Sequence, residues 1–457
     1  MELPRSLRRA GVLTALILFL VLLVPRVGYA DDEGLTLAGA VARALQDGYT
    51  ARIAALTAGQ AGDSYREKRG AYLPHLYATS GAGTSNRRDE KLIAFNENGK
   101  IKEYGIASLA ANEGWLNFFV EQLVFDMRQW RLIEREKISA ELARIQEGEE
   151  RERVAHDVTA KFSDVVRLER QADLALIALE DARELDSQAR KLFEAGRSIE
   201  SEREAVALRL AESEMQARNR RAESREALEA LWLAIAGGDR AGIPASVAAS
   251  SLPKPELLLS LDGAEEAVSR SPTLRALDLR RRVEEATAKA ASARRLPTLG
   301  FKAGYSHYGA NRYDLFQDEV RVGVDFTMPI FDGFEARSAA AKATKGVQIA
   351  RLRYQSRLEL KQARVRELAR RLESASERSI LTQRRSESSR ERQRLTDLRL
   401  QSQRATLEEA LAARERTARD AEEAANAYFQ RFDLWASLQY EMGQLAPTVM
   451  GSQPASP

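Results

Sequence analysis

The sequence predicts a mainly α-helical fold with a small β part, in which long coiled-coil hairpins are joined to four short strands per chain. No proline occurs between His75 and Ile243 or between Ile330 and Ala446, and a proline costs a helix interior about 3 kcal/mol. Apolar residues recur every seven positions within these stretches, which indicates coiled-coil packing. Four short segments instead alternate apolar and polar residues, as strands do.

The N-terminus, residues 1–30, has the features of a secretory signal peptide. Three arginines precede an apolar run from Val12 to Val24, and the small residues Gly28 and Ala30 offer a cleavage point. A retained membrane anchor is the alternative, but the run is shorter than the ~20 residues that span a bilayer. We therefore expect an exported chain, with no other segment apolar enough for a transmembrane helix.

Composition argues against several classes of function. Removal of residues 1–30 takes four arginines and one acidic residue from the 70 basic and 67 acidic residues, so the remaining charges balance. A chain with no basic surplus is a poor nucleic-acid partner. There is no Cys, and the three His residues are scattered, so no metal site is expected. No nucleophile motif or phosphate loop appears, and we predict no enzymatic activity and no cofactor.

The rest of the chain contains two copies of one pattern. Leu37-Ala38-Gly39-Ala40 opens a segment that reaches Leu73-Pro74, and Leu261-Asp262-Gly263-Ala264 opens another that reaches Leu296-Pro297 at nearly the same distance. In each copy two alternating stretches follow, and then a long charged helical region. We predict repeats at 31–238 and 261–446, a connector at 239–260 and a disordered tail at 447–457.

The alternating stretches predict strands at about 75–86, 115–125, 298–308 and 320–329, with exposed loops at 87–114 and 309–319. About ten residues of period two, apolar on one face, suit a transmembrane β-strand. Half-buried soluble hairpins are the alternative, but an isolated hairpin is marginal in water. Four strands cannot close a barrel, so several chains must contribute, and three copies supply twelve. Interfacial aromatic girdles are predicted to include Tyr77, Trp115, Tyr305 and Tyr308.

The helical regions fit two hairpins of similar length. One continuous helix is predicted from about Met127 to Glu194 and another at about 333–402. Each is matched by two shorter segments that stack end to end, namely 36–72 and 199–235 in the first repeat and 262–295 and 405–438 in the second. Val158, Val165, Ala172 and Leu179 form one coiled-coil seam.

Together these features resemble the TolC-like outer-membrane efflux family, whose members are also called outer membrane factors. The resemblance rests on the signal peptide, the duplicated halves, and Met328-Pro329-Ile330-Phe331-Asp332-Gly333 at a strand-to-helix return, with the weaker Gln122-Leu123-Val124-Phe125-Asp126 in the first copy. The strand–helix motif residues are Pro74, Phe125, Asp126, Pro297, Pro329, Phe331, Asp332 and Gly333.

The resemblance implies a homotrimer in outer-membrane lipid that extends into the periplasm. Its strands form one 12-stranded barrel, and its helices form a periplasmic tunnel. Such proteins are passive exit ducts of tripartite efflux or type I secretion systems, and they join an inner-membrane transporter through a periplasmic adaptor. The sequence does not identify the cargo.

The resemblance also implies two helix-hairpin turns at the periplasmic tip. Gly196, Arg197 and Ser198 match the first tip, where adaptor contact is expected, and Ser198 is predicted to cap the returning helix. The second tip lacks the usual glycine, and Gln403 stands in its place. Glu409 is the best match to an aperture carboxylate, beside Glu408 and with Arg404 as its pairing partner.

A soluble periplasmic coiled-coil tether or scaffold, without a channel, is the alternative function. It explains the helices fully, but it does not explain the four alternating stretches. Retention with the outer membrane after a salt wash separates the two hypotheses.

Overall fold

The computed structural model describes residues 34–87, 91–95, 101–105, 109–236, 243–244, 246–255, 261–310, 315–402 and 404–451. The predicted signal peptide therefore lies outside the described residues, as do Gln403 and parts of the predicted connector. The predicted fold class, mainly α with a small four-stranded sheet, is confirmed. The limits of the two repeats stay a prediction.

The described helices are α1 (Leu37–Asp47), α2 (Tyr49–Gly70), α3 (Met127–Glu194), α4 (Glu200–Ala236), α5 (Leu261–Ser269), α6 (Pro272–Ser292), α7 (Glu335–Gln401), α8 (Leu407–Met442) and α9 (Leu445–Gly451). The described strands are β1 (His75–Arg87), β2 (Lys91–Phe95), β3 (Ile101–Gly105), β4 (Leu109–Asp126), β5 (Thr298–Ala310) and β6 (Leu315–Thr327). Among the described helices, none is long and apolar enough to cross a bilayer.

Two long helices organise the molecule. Helix α3 has 68 residues and α7 has 67, so each is roughly 100 Å long at 1.5 Å per residue. Helices α2 and α4 pack on α3, whereas α6 and α8 pack on both α3 and α7. The predicted seam residues Val158, Val165, Ala172 and Leu179 are all buried.

Buried apolar side chains form two separate clusters. The larger lies at mid-height of the long helices and draws on both repeats, and we call it the equatorial core. Its largest fully buried members include Phe162, Phe432, Leu274 and Leu368. The smaller, here the tip cluster, lies near the two hairpin turns and consists of Leu185, Ala189, Val206, Leu400, Leu407 and Ala410.

The sheet has the order β1-β4-β5-β6, and all its pairings are antiparallel. The loop predicted at 87–114 is wrong in part, because β2 and β3 pair within it and β4 already begins at Leu109. The apolar residues Leu92, Ile93 and Phe95 favour strand structure, but their run is short and lies among polar residues. The loop predicted at 309–319 is also shorter, since β6 begins at Leu315.

The tail predicted to be disordered from residue 447 is helical as far as Gly451. Pro447 lies in the first turn of α9, where a proline costs no helical hydrogen bond. The carboxylate of Glu152, on α3, accepts a hydrogen bond from the Ala446 amide (3.2 Å). Burial raises the pKa of Glu152. Residues 452–457 lie outside the described residues.

Candidate functional site

The first strand-to-helix return is direct, with no residue between β4 and α3. Asp126 ends the strand and caps the helix, because its Oδ1 accepts a hydrogen bond from the Gln129 amide at 3.0 Å. The Tyr72 hydroxyl donates to the Asp126 carbonyl at 2.6 Å, which fixes the return to the end of α2. Phe125 is partly exposed, and Pro74 immediately precedes β1.

The second return contains a short loop, which begins at Met328 and Pro329. Asp332 has the same role as Asp126, because its Oδ2 accepts a hydrogen bond from the Ala336 amide at 2.8 Å. Gly333 and Phe334 follow with positive φ angles of 63° and 67°, and this conformation is unfavourable for phenylalanine. The Phe331 ring contacts the Phe334 ring edge-on at 5.6 Å. The motif residues therefore end a strand and start a helix.

One face of the sheet is aliphatic and open to the surroundings. On β6, Val320, Val322, Val324 and Phe326 are each about two-thirds exposed or more (74%, 65%, 65% and 66%). The register continues this face across the sheet, through rows such as Leu76, Val120, Ala303 and Val322. Exposed apolar side chains in neighbouring rows of a sheet face indicate a surface that is covered in the working state.

The opposite face is polar. Lys302 Nζ lies 3.1 Å from Asp325 and 3.5 Å from Glu121, so this ion-pair group joins three strands. Arg321 pairs with Glu319 at 2.6 Å. An alternation of aliphatic and charged faces is typical of strands with lipid on one side and water on the other.

The predicted aromatic girdle is only partly correct. Tyr305 lies in an aliphatic-face row with Phe118 and Val320. Tyr77 and Trp115 lie on the polar face, because β1 and β4 place them in rows with Phe119 and Gly81. The position of a residue in the strand register determines which face of the sheet its side chain lies on. The presence of an aromatic residue near a strand end does not determine the face. The side chain of Tyr308 lies outside the described ones.

The first hairpin turn joins α3 to α4. Gly196 has a φ of +68°, the left-handed conformation that glycine adopts easily after a helix. The Arg197 amide donates to the Leu192 carbonyl at 2.8 Å, which completes the helix end. The Ser198 hydroxyl donates to the Glu202 carboxylate at 2.8 Å, and α4 begins only at Glu200. The predicted Ser198 cap is therefore replaced by a side-chain contact, because the turn is one residue longer.

The second hairpin turn joins α7 to α8 and relies on side-chain capping. The Glu409 amide donates to Thr406 Oγ1, and the Thr406 amide donates to the Glu409 carboxylate, both at 3.1 Å. This pair is a capping box. Glu408 and Arg404 are exposed. Among the described residues no ion pair joins Arg404 to Glu409, so the predicted pairing is not present within one chain.

A buried arginine near the tips was not found from sequence. Arg414 on α8 is only 7% exposed, and its guanidinium lies 3.2 Å from Asp397 of α7 and 3.6 Å from Glu184 of α3. It also donates to the carbonyl of Asp181. One side chain thus connects three helices. The spacing of four residues from Ala410 places Arg414 on the buried face of α8, and this spacing could have indicated a buried arginine. Charged residues are so frequent in this helix that the spacing alone does not single out Arg414.

A second buried polar contact joins α7 to α8. Asp420 is almost fully buried, accepts a hydrogen bond from the Ser389 hydroxyl, and pairs with Arg385 at 2.9 Å. Within the described part of the chain, no group of three or more His, Asp or Glu side chains is placed to hold a metal ion.

The architecture is thus one of long paired helical hairpins that continue into a small two-faced sheet. Residues 263–443 match the family model described as outer membrane efflux protein. No curated protein sequence matches the chain.

Solved structures show the same fold. The chain is similar to a membrane protein from Pseudomonas aeruginosa (TM-score 0.76, 17% identity, 89% of this chain and 90% of that chain). It is similar to the CmeC outer membrane channel of Campylobacter jejuni (0.74, 15%, 90% and 86%). It is also similar to the outer membrane protein VceC of Vibrio cholerae (0.71, 14%, 89% and 96%). The predicted resemblance to the TolC-like outer-membrane efflux family is thus confirmed, and two of these three proteins are described as an outer membrane channel or an outer membrane protein.

Proposed function

We propose that this chain is one subunit of a homotrimeric outer-membrane exit duct, which passively conducts substrates from a periplasmic adaptor and an inner-membrane transporter to the exterior. Both a tripartite efflux pump and a type I secretion system need such a duct. The family match over residues 263–443 supports this class of function.

The proposal rests on the four-stranded sheet, which has unpaired edges and an exposed apolar surface. In the described part of the chain, strands β1 and β6 each pair on one side only, and the apolar side chains of one face are exposed along β6 from Val320 to Phe326. Unpaired strand edges and a bare apolar face are both unfavourable in water. Lipid on the aliphatic face and a neighbouring copy at each edge satisfy both requirements together.

Three copies give a consistent assembly. The β1 edge of one copy pairs with the β6 edge of the next, and twelve strands close into one barrel. Each chain also supplies four helical columns, which are α3, α7, the stack of α1 and α2 on α4, and the stack of α5 and α6 on α8. Twelve columns then surround a tunnel below the barrel.

The tips are the proposed points of contact and control. Gly196, Arg197 and Ser198 form an exposed turn at one end of the long helices, where an adaptor can reach them. For the aperture, the capping box engages the Glu409 carboxylate within its own chain. The exposed Glu408 carboxylate makes no hydrogen bond or ion pair among the described residues. We therefore favour Glu408, one from each of the three subunits, for a ring of carboxylates at the aperture.

Membrane fractionation and planar-bilayer recording test this proposal together. The protein is expected to stay with outer membranes after a high-salt wash, to run as a trimer without boiling, and to form ion-conducting channels. A protein that washes off as a monomer supports the soluble tether instead. For the aperture, Glu408→Gln is expected to weaken divalent-cation block more than Glu409→Gln, and equal block in both variants contradicts our choice.

A further inference from the structure

The polar face of the sheet is divided into an aromatic half and a charged half. On β1 and β4, the Tyr77 ring stacks on the Phe119 ring with centroids 5.0 Å apart, and His75 stacks on Tyr77 at 6.3 Å. Tyr77 is 43% exposed. Side chains that face water do not need aromatic rings to be soluble. The stack of His75, Tyr77 and Phe119, here called the aromatic ladder, therefore requires another explanation.

Charges lie beside the ladder and leave one carboxylate in excess. Among the described side chains of this face, Arg321 pairs with Glu319 at 2.6 Å, and Lys302 lies closer to Asp325 (3.1 Å) than to Glu121 (3.5 Å). Glu121 is therefore the least neutralised group. Glu121 on β4 is the cross-strand partner of His75 on β1, which is the end of the aromatic ladder near Pro74.

We infer that this face binds flat aromatic cations as they pass, through ring stacking on Tyr77 and Phe119 and attraction to Glu121. Aromatic faces attract organic cations, flat rings stack on aromatic side chains, and a carboxylate excess favours positive charge. The inference rests on the proposed function, because this face lines the passage only when lipid covers the aliphatic face. It narrows the cargo to a chemical class.

The test measures block of single channels in planar bilayers by ethidium, a flat aromatic cation. Tyr77→Leu and Phe119→Leu are each expected to raise the half-blocking concentration roughly two- to fivefold. The matched control is Phe118→Leu, which removes the same ring from the next residue on the aliphatic face.

A second probe separates ring recognition from charge. Block by tetrapropylammonium, a cation without rings, is expected to change less than twofold in Tyr77→Leu and Phe119→Leu, while Glu121→Gln weakens block by both cations. Should one variant fail to assemble, the others carry the test, and ethidium fluorescence titration of the detergent-solubilised trimer measures binding without conductance.

The outcomes distinguish this inference from the proposed function. Wild-type channels that conduct ions but respond to ethidium no differently from Tyr77→Leu and Phe119→Leu overturn the inference and leave the duct intact. An equal effect of Phe118→Leu and Phe119→Leu overturns it as well. Wild-type protein that gives no channels at all contradicts the duct itself, and the inference with it.

Discussion

The equatorial core and the tip cluster hold the same long helices together by different physics. The equatorial core combines large apolar side chains from both repeats, among them Phe162 and Phe432, which are fully buried. The tip cluster has six small or medium apolar members and is supplemented by the buried Arg414. Apolar burial is non-directional and adds with area, whereas a buried charge is stable only while its partners stay in place.

The two clusters therefore differ in how easily the helices around them can rearrange. The equator resists change because many contacts must be lost together. The tips depend on a few directional contacts, so the loss of one partner loosens the turn without unfolding the rest. A tip that is locally weak is what a regulated opening requires.

The largest expected effect is at the equator. Phe432→Ala removes a fully buried ring that packs on Trp435 at 5.6 Å, and we expect a loss of about 3–5 kcal/mol in global stability. Leu185→Ala at the tip, also almost fully buried, is expected to increase amide hydrogen exchange only near the turns. Thermal unfolding followed by circular dichroism, with hydrogen exchange, compares them. Global unfolding by both variants at the same temperature refutes the contrast.

Arg414→Met comes next. It keeps the aliphatic stem but leaves Asp397, Glu184 and the Asp181 carbonyl without their common partner, so we expect a local loss of about 3 kcal/mol. Hydrogen exchange should rise near residues 181–190 and 397–414. The control is Arg419→Met on the same helix. The Arg419 side chain is 75% exposed and, among the described residues, forms an ion pair with Glu415 alone, so we expect a loss of about 0.5 kcal/mol or less. Equal effects of the two variants contradict a special role for Arg414.

Gly196→Ala has a smaller effect and separates the two turns from each other. The positive φ of 68° makes alanine unfavourable by about 1–2 kcal/mol, so protease cleavage at the first turn should increase. Gly148→Ala inside α3, where an added Cβ meets no atom within 4 Å, should instead stabilise slightly. Thr406→Ala breaks the capping box and should cost the second turn about 1 kcal/mol. No change in cleavage for Gly196→Ala shows that the glycine is dispensable.

The smallest expected effect is a pH dependence at the equator. Burial lowers the pKa of His156 below its ordinary value of 6.5, despite the nearby Asp157 and Glu441. The unfolded chain therefore takes up a proton at a higher pH than the folded chain, and stability falls as the pH drops below 6.5. His156→Gln should reduce that fall, measured as the difference in unfolding temperature between pH 7 and pH 5.5. An identical fall in wild type and variant assigns it to other groups.

Much of the fold could be predicted from the sequence, because the spacing of apolar residues and the length of each segment are local properties of the chain. The helix predicted from Met127 to Glu194 has these bounds in the structure, since Asp126 caps one end and Gly196 terminates the other. The four sheet strands follow from alternation. By contrast, α9 depends on Glu152, which is 294 residues away from Ala446 in sequence, and no local pattern reports such a contact.

The candidate site was less predictable for the same reason. Pairings such as Arg414 with Asp397 and Glu184 arise only when three helices meet, and a sequence rich in arginine and glutamate offers many equally plausible partners. The aromatic girdle failed at Tyr77 and Trp115 because the face of a residue depends on strand register. Glu409 was singled out by position, but its side chain completes a capping box, a role that the spacing Thr406 to Glu409 already allowed.

In the proposed trimer the β1 edge of one subunit pairs with the β6 edge of the next, and engineered disulfides can trap this pairing. The chain contains no Cys, so two introduced thiols are the only ones present. Thr79→Cys on β1 is combined in turn with Glu319→Cys, Arg321→Cys and Gly323→Cys on the same face of β6, because neighbouring strands bring Cα atoms within disulfide range. After oxidation, at least one pair is predicted to give covalent trimers on a denaturing, non-reducing gel, while each single variant runs as a monomer or at most a dimer. Monomers alone from every pair, in protein extracted from outer membranes, contradict the claim.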